Sequence, residues 1–494
     1  MALQTPNTAW CDPNTNYTIA ARDRKDSKKV VILGAGLAGL AAGYTLSAAD
    51  QAVLVLEADS TVGGLAKTIR HHGFRFDLGG HRFFTTNRRI NNFVKNVLND
   101  DFLVVPRKSK IYLLNRYFDY PLRPANVIFG LNTLISLRII GDYLKERVKQ
   151  HLKAPDIITL EDWIVNRFGR TMFNLYFKPY SKKVCGIESG KISREWGEHR
   201  IRDLSLWTAV KRAFSKADTK DIATLADQFI YPPMGIGQIS ERLRIAIEQQ
   251  NRVLTKTTVA EINHEDFFIK NVIVKNEDQI YKLEGSEFVS SIPLTNFIKM
   301  IRPCPPEDVI KAAARLKFRN VVIVTIMLNR DRITDNTWIY FPEKEIPFGR
   351  IHEPVNWSPL AAPKGKTHLV LEYFCFKGDK LWGLNDDQFV SMSLDYLGKL
   401  DFMHKKEMID SCVVRVPNAY PLFELDYRKY YLKVLKYLES FKNLHITGRV
   451  GLFKYYNMDH AIESGTHVAE TILERMGIEK SGGNELSSLR SQLE

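Results

Sequence analysis

Three glycines and one acidic residue near the start of the chain have the spacing that binds a dinucleotide. Gly34, Gly36 and Gly39 follow the β-branched run 30–32, and Glu57 lies 18 residues beyond the last glycine. In such a turn the first glycine permits the bend, the second lets backbone approach a pyrophosphate, and the third brings helix and strand together. The helix N-terminus attracts the phosphates, and the acid accepts hydrogen bonds from a ribose.

Further glycines indicate which dinucleotide is bound. Two more glycine pairs follow Glu57, at 63–64 and at 79–80, the second within the run Phe-Asp-Leu-Gly-Gly-His. A nicotinamide dehydrogenase does not need these pairs, whereas a flavin ring lying against backbone does, because only glycine leaves room there. The sequence therefore predicts FAD. The expected cofactor-binding residues in this part of the chain are Gly34, Gly36, Leu37, Ala38, Gly39, Glu57, Ala58, Gly63, Gly64, Leu65, Gly79, Gly80 and His81.

The elements that must position these residues indicate a Rossmann-type α/β fold. Residues 29–84 have the pattern strand, glycine turn, helix and strand. The pattern is mostly helical near 126–215, mixed at 222–300 and rich in strands at 318–376. We therefore expect a discontinuous FAD-binding domain with a helical insertion and a β-rich substrate domain. The expected parts are a flexible N-terminal arm (1–28), FAD-binding segments (29–87, 222–300 and 440–476), a mostly helical insertion (88–221), a β-rich substrate domain (301–439) and a flexible tail (477–494).

The composition describes a large, basic protein. Of its 494 residues 45% are hydrophobic, which is enough for a core spread over two or three domains. The 70 lysines and arginines exceed the 56 acidic residues, giving a formal net charge of +14. Such a charge suits nucleic acid, an anionic membrane or a phosphate-bearing small molecule. Because no zinc-finger spacing or RNA-binding signature accompanies it, we expect a small anionic substrate and no nucleic-acid partner.

Cysteine usage and hydropathy indicate where the protein works. The five cysteines are widely separated and form no CxxC pair, which suits a reducing cytoplasm. The polar start of the chain lacks the apolar core of a signal peptide, and no segment has the pattern of a membrane span. We therefore predict a cytoplasmic protein without a metal site, and the sequence leaves the oligomeric state open.

One helical segment has two interpretations. Residues 126–153 begin apolar and become basic, a pattern compatible with a helix that lies on a membrane surface. The same pattern describes a helix packed within the protein, and this is the favoured interpretation. Peripheral membrane contact remains the alternative.

Four stretches beyond the glycine turn carry a family resemblance. They are 76–81; 177–180 with 196–200; 338–342 with 347–350 and 356–359; and 448–451 with 455–460. Together they resemble the UDP-galactopyranose mutase group of flavoenzymes, particularly its eukaryotic-type members. That group is part of the flavin amine oxidase and protoporphyrinogen oxidase superfamily. The resemblance covers most of residues 29–475.

The resemblance implies roles for particular residues. It places His81 beside the flavin ring, and it makes Arg200 and Arg350 the two arginines that meet a substrate diphosphate. These three are the expected catalytic residues, and Tyr420 and Tyr455 join the two arginines in binding substrate. The further FAD contacts that the resemblance implies are at Val259, Gly448, Arg449, Asn457 and Met458, the last two at a helix start that faces the flavin.

The reaction that the resemblance implies is the isomerisation of a UDP-sugar between pyranose and furanose rings. It proceeds through N5 of the reduced flavin without net redox change, and NADPH is one candidate reductant. The arginines stabilise charge on the leaving diphosphate. This chain departs from the group after His81, where it has Arg-Phe-Phe-Thr-Thr, and at Cys185. These departures concern the sugar and the uridine rather than FAD.

Other functions also fit the FAD motifs. An oxidoreductase of the amine oxidase, protoporphyrinogen oxidase or desaturase type would oxidise a C–N or C–C bond in an apolar tunnel, without two diphosphate arginines. A flavoenzyme for polyprenyl-phosphate sugars would use its basic surface near a membrane. A non-enzymatic binding protein would leave the flavin site without a purpose. Mutase-like chemistry on a nucleotide-sugar is the favoured hypothesis.

Overall fold

A computed structural model describes residues 29–120, 133–152, 156–200 and 228–478. Within these ranges helices alternate with several sheets, which confirms the predicted α/β class. The expected N-terminal arm, nearly all of the expected tail and the first part of the 126–153 helix lie outside the described residues.

The strands and helices of the described residues follow in chain order. The strands are β1 (Val30–Leu33), β2 (Val53–Leu56), β3 (Thr68–His71), β4 (Phe74–Asp77), β5 (Leu103–Pro106), β6 (Ser109–Leu113), β7 (Arg116–Tyr120), β8 (Gln228–Tyr231), β9 (Arg252–Leu254), β10 (Thr257–Glu265), β11 (Phe268–Asn276), β12 (Gln279–Glu284), β13 (Glu287–Ser290), β14 (Ile301–Arg302), β15 (Phe318–Leu328), β16 (Trp338–Tyr340), β17 (Arg350–His352), β18 (Thr367–Cys375), β19 (Met408–Pro421) and β20 (Leu444–Ile446). The helices are α1 (Leu37–Ala48), α2 (Arg88–Leu98), α3 (Thr133–Leu152), α4 (Leu160–Phe168), α5 (Arg170–Met172), α6 (Lys178–Cys185), α7 (Glu195–Arg200), α8 (Gly237–Glu248), α9 (Leu294–Met300), α10 (Glu307–Arg315), α11 (Asp386–Lys399), α12 (Tyr427–Glu439) and α13 (Met458–Arg475).

A five-stranded parallel sheet in the order β20-β13-β1-β2-β9 forms the first layer. Its central strands are short apolar runs buried on both faces, as parallel strands between helices are. Helix α13 packs against α1, and a Cβ at Gly465 would lie 2.0 Å from the Ala38 carbonyl oxygen. Only glycine permits this approach. Segments from distant parts of the chain thus complete one Rossmann-type sheet.

A seven-stranded sheet in the order β19-β15-β18-β17-β16-β6-β7 forms the second large layer. Strands β15 and β18 are buried along their whole length, and α11 packs against β15 and β19. Arg350 on β17 stands in register with Glu372 on β18. This pairing fixes a cation beside an acid in the middle of the molecule.

Two of the expected segments are more mixed than the sequence indicated. Segment 88–221, predicted to be mostly helical, contributes β5, β6 and β7 before its helices begin. Within 222–300, β9 and β13 join the parallel sheet, but β10, β11 and β12 form a separate sheet with β14. The expectation for 88–221 did not include β5, β6 and β7, which are short strands of four or five residues.

Helices α3, α4, α5 and α7 pack against one another, and α6 contacts β18 of the large sheet. Helix α3 packs on α4 and α5 through its buried residues Ile139 and Tyr143. Among the helices of the described ranges, none combines the length and the apolar character needed to cross a bilayer.

Candidate active site

The glycine turn after β1 has the geometry that its three glycines predicted. Gly34 has a φ of +103°, which favours glycine, and it makes the bend. A Cβ at Gly36 would meet no described atom within 4 Å, so the backbone there faces open space at the start of α1. A Cβ at Gly39 would lie 2.0 Å from the Gly34 carbonyl oxygen, so this glycine lets helix and strand touch. The turn can receive a phosphate at the helix N-terminus.

The second glycine pair lies directly against the first turn. The Gly63 amide donates to the Ala35 carbonyl oxygen at 2.8 Å, and a Cβ at Gly64 would lie 3.2 Å from the Gly36 Cα. Gly64 also has a positive φ of +56°. Side chains at these positions would narrow the space beside the helix start, and the open backbone suits an extended ligand that passes between the two turns.

Glu57 ends β2 next to this space. Its Oε2 accepts from the Ala35 amide at 2.8 Å and its Oε1 from the Asp59 amide at 2.9 Å. Burial raises the pKa of Glu57, although both backbone donors act in the opposite direction. The Thr257 amide donates to the Glu57 carbonyl oxygen at 2.7 Å, which brings the start of β10 and hence Val259 to this edge.

The backbone of Gly79 and Gly80, called the glycine wall below, lies beside the buried carboxylate of Glu372. Gly79 has a φ of +112°, and a Cβ there would lie 3.2 Å from the Glu372 carboxylate. The Gly80 amide donates to Glu372 Oε1 at 3.1 Å. His81 follows, and burial together with the charges of Arg449 and Arg350 lowers its pKa to about 4. His81 is therefore neutral near pH 7.

Arg350 reaches this wall from the large sheet. Its Nη2 forms an ion pair with Glu372 Oε2 and donates to the Tyr420 hydroxyl at 2.9 Å. Its Nε is shielded and has no hydrogen-bond partner among the described residues. The guanidinium also lies over the Phe374 ring, at 5.6 Å from its centroid. An arginine held this way presents a fixed donor to a ligand near the glycine wall.

A half-buried lysine fixes the loop that leads to Arg350. Lys183 Nζ lies within hydrogen-bond distance, 2.6 to 3.2 Å, of four backbone carbonyl oxygens between residues 341 and 348, and its three hydrogens are shared among them. Burial lowers the pKa of Lys183 to about 7. The loop is thereby tied to α6, which holds β17 and its arginine in place.

Arg449 lies beside the stacked rings of Tyr420 and Tyr455 and contacts both. Its guanidinium carbon is 4.8 Å from the Tyr420 ring centroid and 4.5 Å from the Tyr455 ring centroid. Its Nη1 donates to the Tyr456 carbonyl oxygen at 2.7 Å, whereas its Nε and Nη2 are buried without a partner in the described part of the chain. Buried donors without partners are costly, and they point to an anionic or acceptor-rich ligand.

The segment 448–460 places Arg449 and the start of a helix near the first glycine turn. A Cβ at Gly448 would lie 3.0 Å from the Ala38 Cβ, so this backbone packs on α1. Helix α13 begins at Met458, and Asn457 caps it together with His460. The predicted helix start at this position is present.

Of the two arginines expected to bind a substrate diphosphate, only Arg350 has a side chain within the described residues. Arg200 ends α7, and its side chain lies outside the described residues. The same helix carries Trp196, whose ring meets the Tyr455 ring edge-on at 6.3 Å between centroids. Helix α7 therefore approaches the tyrosine pair, while a convergence of Arg200 with Arg350 stays a prediction.

Two features of the site were not predicted from the sequence, namely Glu372 and the contact of Arg449 with both tyrosine rings. Glu372 is a single charge within the apolar run His-Leu-Val-Leu-Glu-Tyr-Phe-Cys-Phe, and a lone acid in a buried strand is the signal that could have identified it. No sequence pattern shows that Tyr420 and Tyr455 stack at 5.8 Å, because they come from separate segments.

The residues present fit a flavin dinucleotide. The open backbone at Gly36 and the helix start after it suit the pyrophosphate, and Glu57 lies at the end of the neighbouring strand. The wall at 79–80 leaves room for a ring.

Comparison with known families gives one broad match. The family described as flavin-containing amine oxidoreductase matches residues 37–473, which is most of the chain. Local similarity is found to the L-amino-acid oxidase of Crotalus adamanteus, 44% identical over 68 residues, covering 14% of this chain. The chain matches only 13% of the length of that protein. The L-amino-acid oxidase of Demansia vestigiata is 36% identical over 167 residues, covering 30% of this chain and 32% of its own length.

Solved structures show the same fold over nearly the whole chain. A reduced UDP-galactopyranose mutase superposes with a TM-score of 0.79 at 20% identity, covering 91% of this chain and 94% of that one. A protoporphyrinogen oxidase described as putative, from Exiguobacterium, has a TM-score of 0.70 at 16% identity, covering 91% of this chain and 99% of its own. Identities this low show a shared fold, and they do not transfer a substrate.

Proposed function

The chain belongs to the flavin-containing amine oxidoreductase family, and from this premise we propose that it uses FAD to isomerise a nucleotide-diphosphate sugar. The favoured substrate pair is UDP-galactopyranose and UDP-galactofuranose. The reaction uses reduced flavin, and NADPH is the candidate reductant. The cytoplasmic location remains a prediction from the cysteine pattern.

The observation that carries this proposal is the arrangement of arginines and tyrosines beside the glycine wall. Arg350 and Arg449 both contact Tyr420, the first through its hydroxyl and the second through its ring. Three of their nitrogen atoms, Arg350 Nε and Arg449 Nε and Nη2, are buried without a hydrogen-bond partner among the described residues. A diphosphate offers charged oxygens that match planar guanidinium donors, and such charge-assisted hydrogen bonds are strong. The site is therefore better suited to an anion than to an apolar amine.

The roles of the residues follow from their contacts. When bound, reduced FAD supplies a nucleophilic nitrogen for the anomeric carbon of the sugar. Arg350 and Arg449 bind the diphosphate and neutralise the charge that grows on it as it leaves, an effect worth about 3 kcal/mol where water is excluded. Tyr420 and Tyr455 line the same space, and Glu372 holds Arg350 in one orientation. Neutral His81 adds no competing charge beside the wall.

The test is a substrate assay with the FAD-loaded protein. The reduced protein is incubated anaerobically with UDP-galactofuranose, and UDP-galactopyranose is separated by chromatography. Turnover that is lost in Arg350→Ala but kept in Arg330→Ala, an arginine on the surface, supports the proposal. If the FAD-loaded protein shows no turnover of this or another nucleotide-sugar, the proposed function is wrong.

Oxidation of a small anionic amine is the second candidate. It is favoured by the local similarity to L-amino-acid oxidases, since a guanidinium also matches a carboxylate. The pairing of Arg350 with Glu372 reduces the positive charge that remains for a diphosphate, which also suits a singly charged substrate. Aerobic incubation with L-amino acids, followed by detection of hydrogen peroxide, distinguishes this candidate from the isomerase.

A further inference from the structure

Helix α3 has one face fixed to the protein. Ile139 and Tyr143 are buried against α4 and α5. The Asp142 carboxylate accepts from the Thr171 amide at 2.8 Å and from the Thr171 hydroxyl at 2.6 Å, and Gln150 Nε2 donates to the Asn166 carbonyl oxygen. These contacts fix the rotation of the helix about its axis, so the residues on its other side have a defined direction.

The opposite face of α3 is an exposed apolar stripe. Its side chains recur every three or four residues, which places them on one side of a helix. The members of this stripe and their exposed fractions are Leu134 (68%), Leu137 (61%), Ile140 (39%), Leu144 (57%), Val148 (58%) and Leu152 (82%). At 1.5 Å per residue the stripe is about 27 Å long. Single exposed leucines are common, but a continuous row of this length marks an interaction surface.

Basic residues follow one edge of the stripe. Arg138, Lys145 and Lys149 are exposed, and their positions lie about 20 to 60° around the helix from the line through Leu134 and Leu152. The carboxylates on α3 belong to Asp142 and Glu146, and these are bonded to Thr171 and Lys149. An apolar row beside a row of cations is the pattern of a helix that lies in the interface of an anionic bilayer.

Charge complementarity favours a lipid surface over a second copy of the chain. If two copies met antiparallel through the stripe, the basic edges would face each other. If they met parallel, each basic edge would face the opposite edge of the stripe, where α3 carries Arg147 and His151 and no acid. Neither arrangement places a negative charge opposite the cations of the basic edge, whereas phosphatidylserine headgroups supply phosphates and carboxylates there.

We propose that the apolar stripe and basic edge of α3 dock the protein peripherally on an anionic membrane surface. Leucine side chains enter the boundary between headgroups and acyl chains, and Arg138, Lys145 and Lys149 lie among the lipid phosphates and carboxylates. This inference does not depend on the proposed reaction, because α3 packs on α4 and α5 and contributes no residue to the site built around Arg350 and Arg449.

The test is sedimentation of the full-length, FAD-loaded protein with vesicles. Vesicles of phosphatidylcholine alone are compared with vesicles that contain about one-third phosphatidylserine. We expect binding to the anionic vesicles, a loss of about tenfold in Leu137→Ser/Leu144→Ser, and a similar loss in Lys145→Glu/Lys149→Glu. The matched controls are Leu432→Ser, an exposed leucine of α12, and Lys311→Glu, an exposed lysine of α10; both should bind like the wild type.

Folding is monitored independently by the flavin absorbance and the thermal midpoint of each variant, which should match the wild type because the changed side chains are exposed. Failure of the wild type to bind anionic vesicles overturns the proposal. Binding that persists in the folded stripe variant overturns it as well. A dimer of the wild type in light scattering that dissociates in the stripe variant assigns the surface to a second copy instead.

Discussion

Arg350 and Glu372 form a shielded ion pair between neighbouring strands, with side-chain exposed fractions of 14% and 2%. The second oxygen of the same carboxylate accepts from the Gly80 amide. Because one acid contacts both the arginine and the glycine wall, the position of Arg350 is coupled to the backbone that would lie beside a flavin ring. The pair also means that Arg350 carries a counter-charge before any substrate binds.

Replacement of Glu372 tests this coupling. Glu372→Gln keeps an acceptor for the Gly80 amide but removes the negative charge, so Arg350 becomes an uncompensated cation. We expect the free energy of unfolding to fall by about 3 kcal/mol and the affinity for UDP to rise about tenfold, since the diphosphate no longer competes with the carboxylate. Calorimetric titration with UDP and thermal melting measure both effects.

Glu307→Gln is the matched control, because Glu307 pairs with Lys311 on the surface. It should leave both quantities unchanged. An unaltered affinity for UDP in Glu372→Gln would show that Arg350 does not meet the diphosphate.

Arg449, which the family resemblance places among the FAD contacts, is expected to bind substrate rather than merely to pack against Tyr420 and Tyr455. Arg449→Met preserves much of the volume and removes the donors, and kcat/KM should fall about a hundredfold. Arg449→Lys keeps the charge without the planar fork and should recover only part of the loss. Steady-state kinetics and the FAD absorbance are measured together; a loss of bound FAD with unchanged kinetics of the remaining holoenzyme would make Arg449 a cofactor ligand only.

Substitution by alanine should have different effects at two glycines of the first turn, lowering FAD affinity at one and preventing folding at the other. Gly36→Ala places a methyl group in open space at a φ of −70°, so the fold should survive while FAD affinity falls. Gly39→Ala forces a methyl group against the Gly34 carbonyl oxygen and should prevent folding. Circular dichroism reports folding and fluorescence titration reports FAD binding. Normal FAD affinity in Gly36→Ala would place the pyrophosphate elsewhere.

Because one histidine is buried, the free energy of unfolding should depend on pH in the acidic range. His368 is fully buried, with Nε2 at 3.0 Å from the Arg75 carbonyl oxygen, and burial lowers its pKa to about 3. In the unfolded chain the His368 imidazole binds a proton near pH 6.5, whereas in the folded protein it does so only near pH 3. The free energy of unfolding is therefore highest above pH 6.5 and decreases as the pH falls toward 3. The slope is about 1.4 kcal/mol per pH unit for one proton.

The measurement is the urea midpoint of unfolding between pH 7 and about 4, the range within which this proton is bound mainly by the unfolded chain. His368→Gln retains a donor for the Arg75 carbonyl and should reduce the slope, whereas His467→Gln, at an exposed position on α13, should not. Equal slopes in the wild type and His368→Gln would exclude His368 as the source.

The sequence predicted local features better than long-range ones. The turn at Gly34 and the start of α13 at Met458 follow from short motifs, because the residues that define them are neighbours in the chain. The contact of Arg350 with Glu372 and Tyr420 depends on the register of three strands, and no local pattern sets that register. The sequence left two interpretations open for the helix that contains α3, because periodicity identifies an apolar face without showing what covers it.

The central claim is isomerisation that depends on reduced flavin, and the most direct test is one anaerobic time course. UDP-galactofuranose is added to two halves of a single FAD-loaded preparation, one reduced with dithionite and one left oxidised, and UDP-galactopyranose is quantified by chromatography. We expect product in the reduced half alone, with no net consumption of reducing equivalents. Equal conversion in both halves, or stoichiometric reoxidation of the flavin without isomerised sugar, would contradict it.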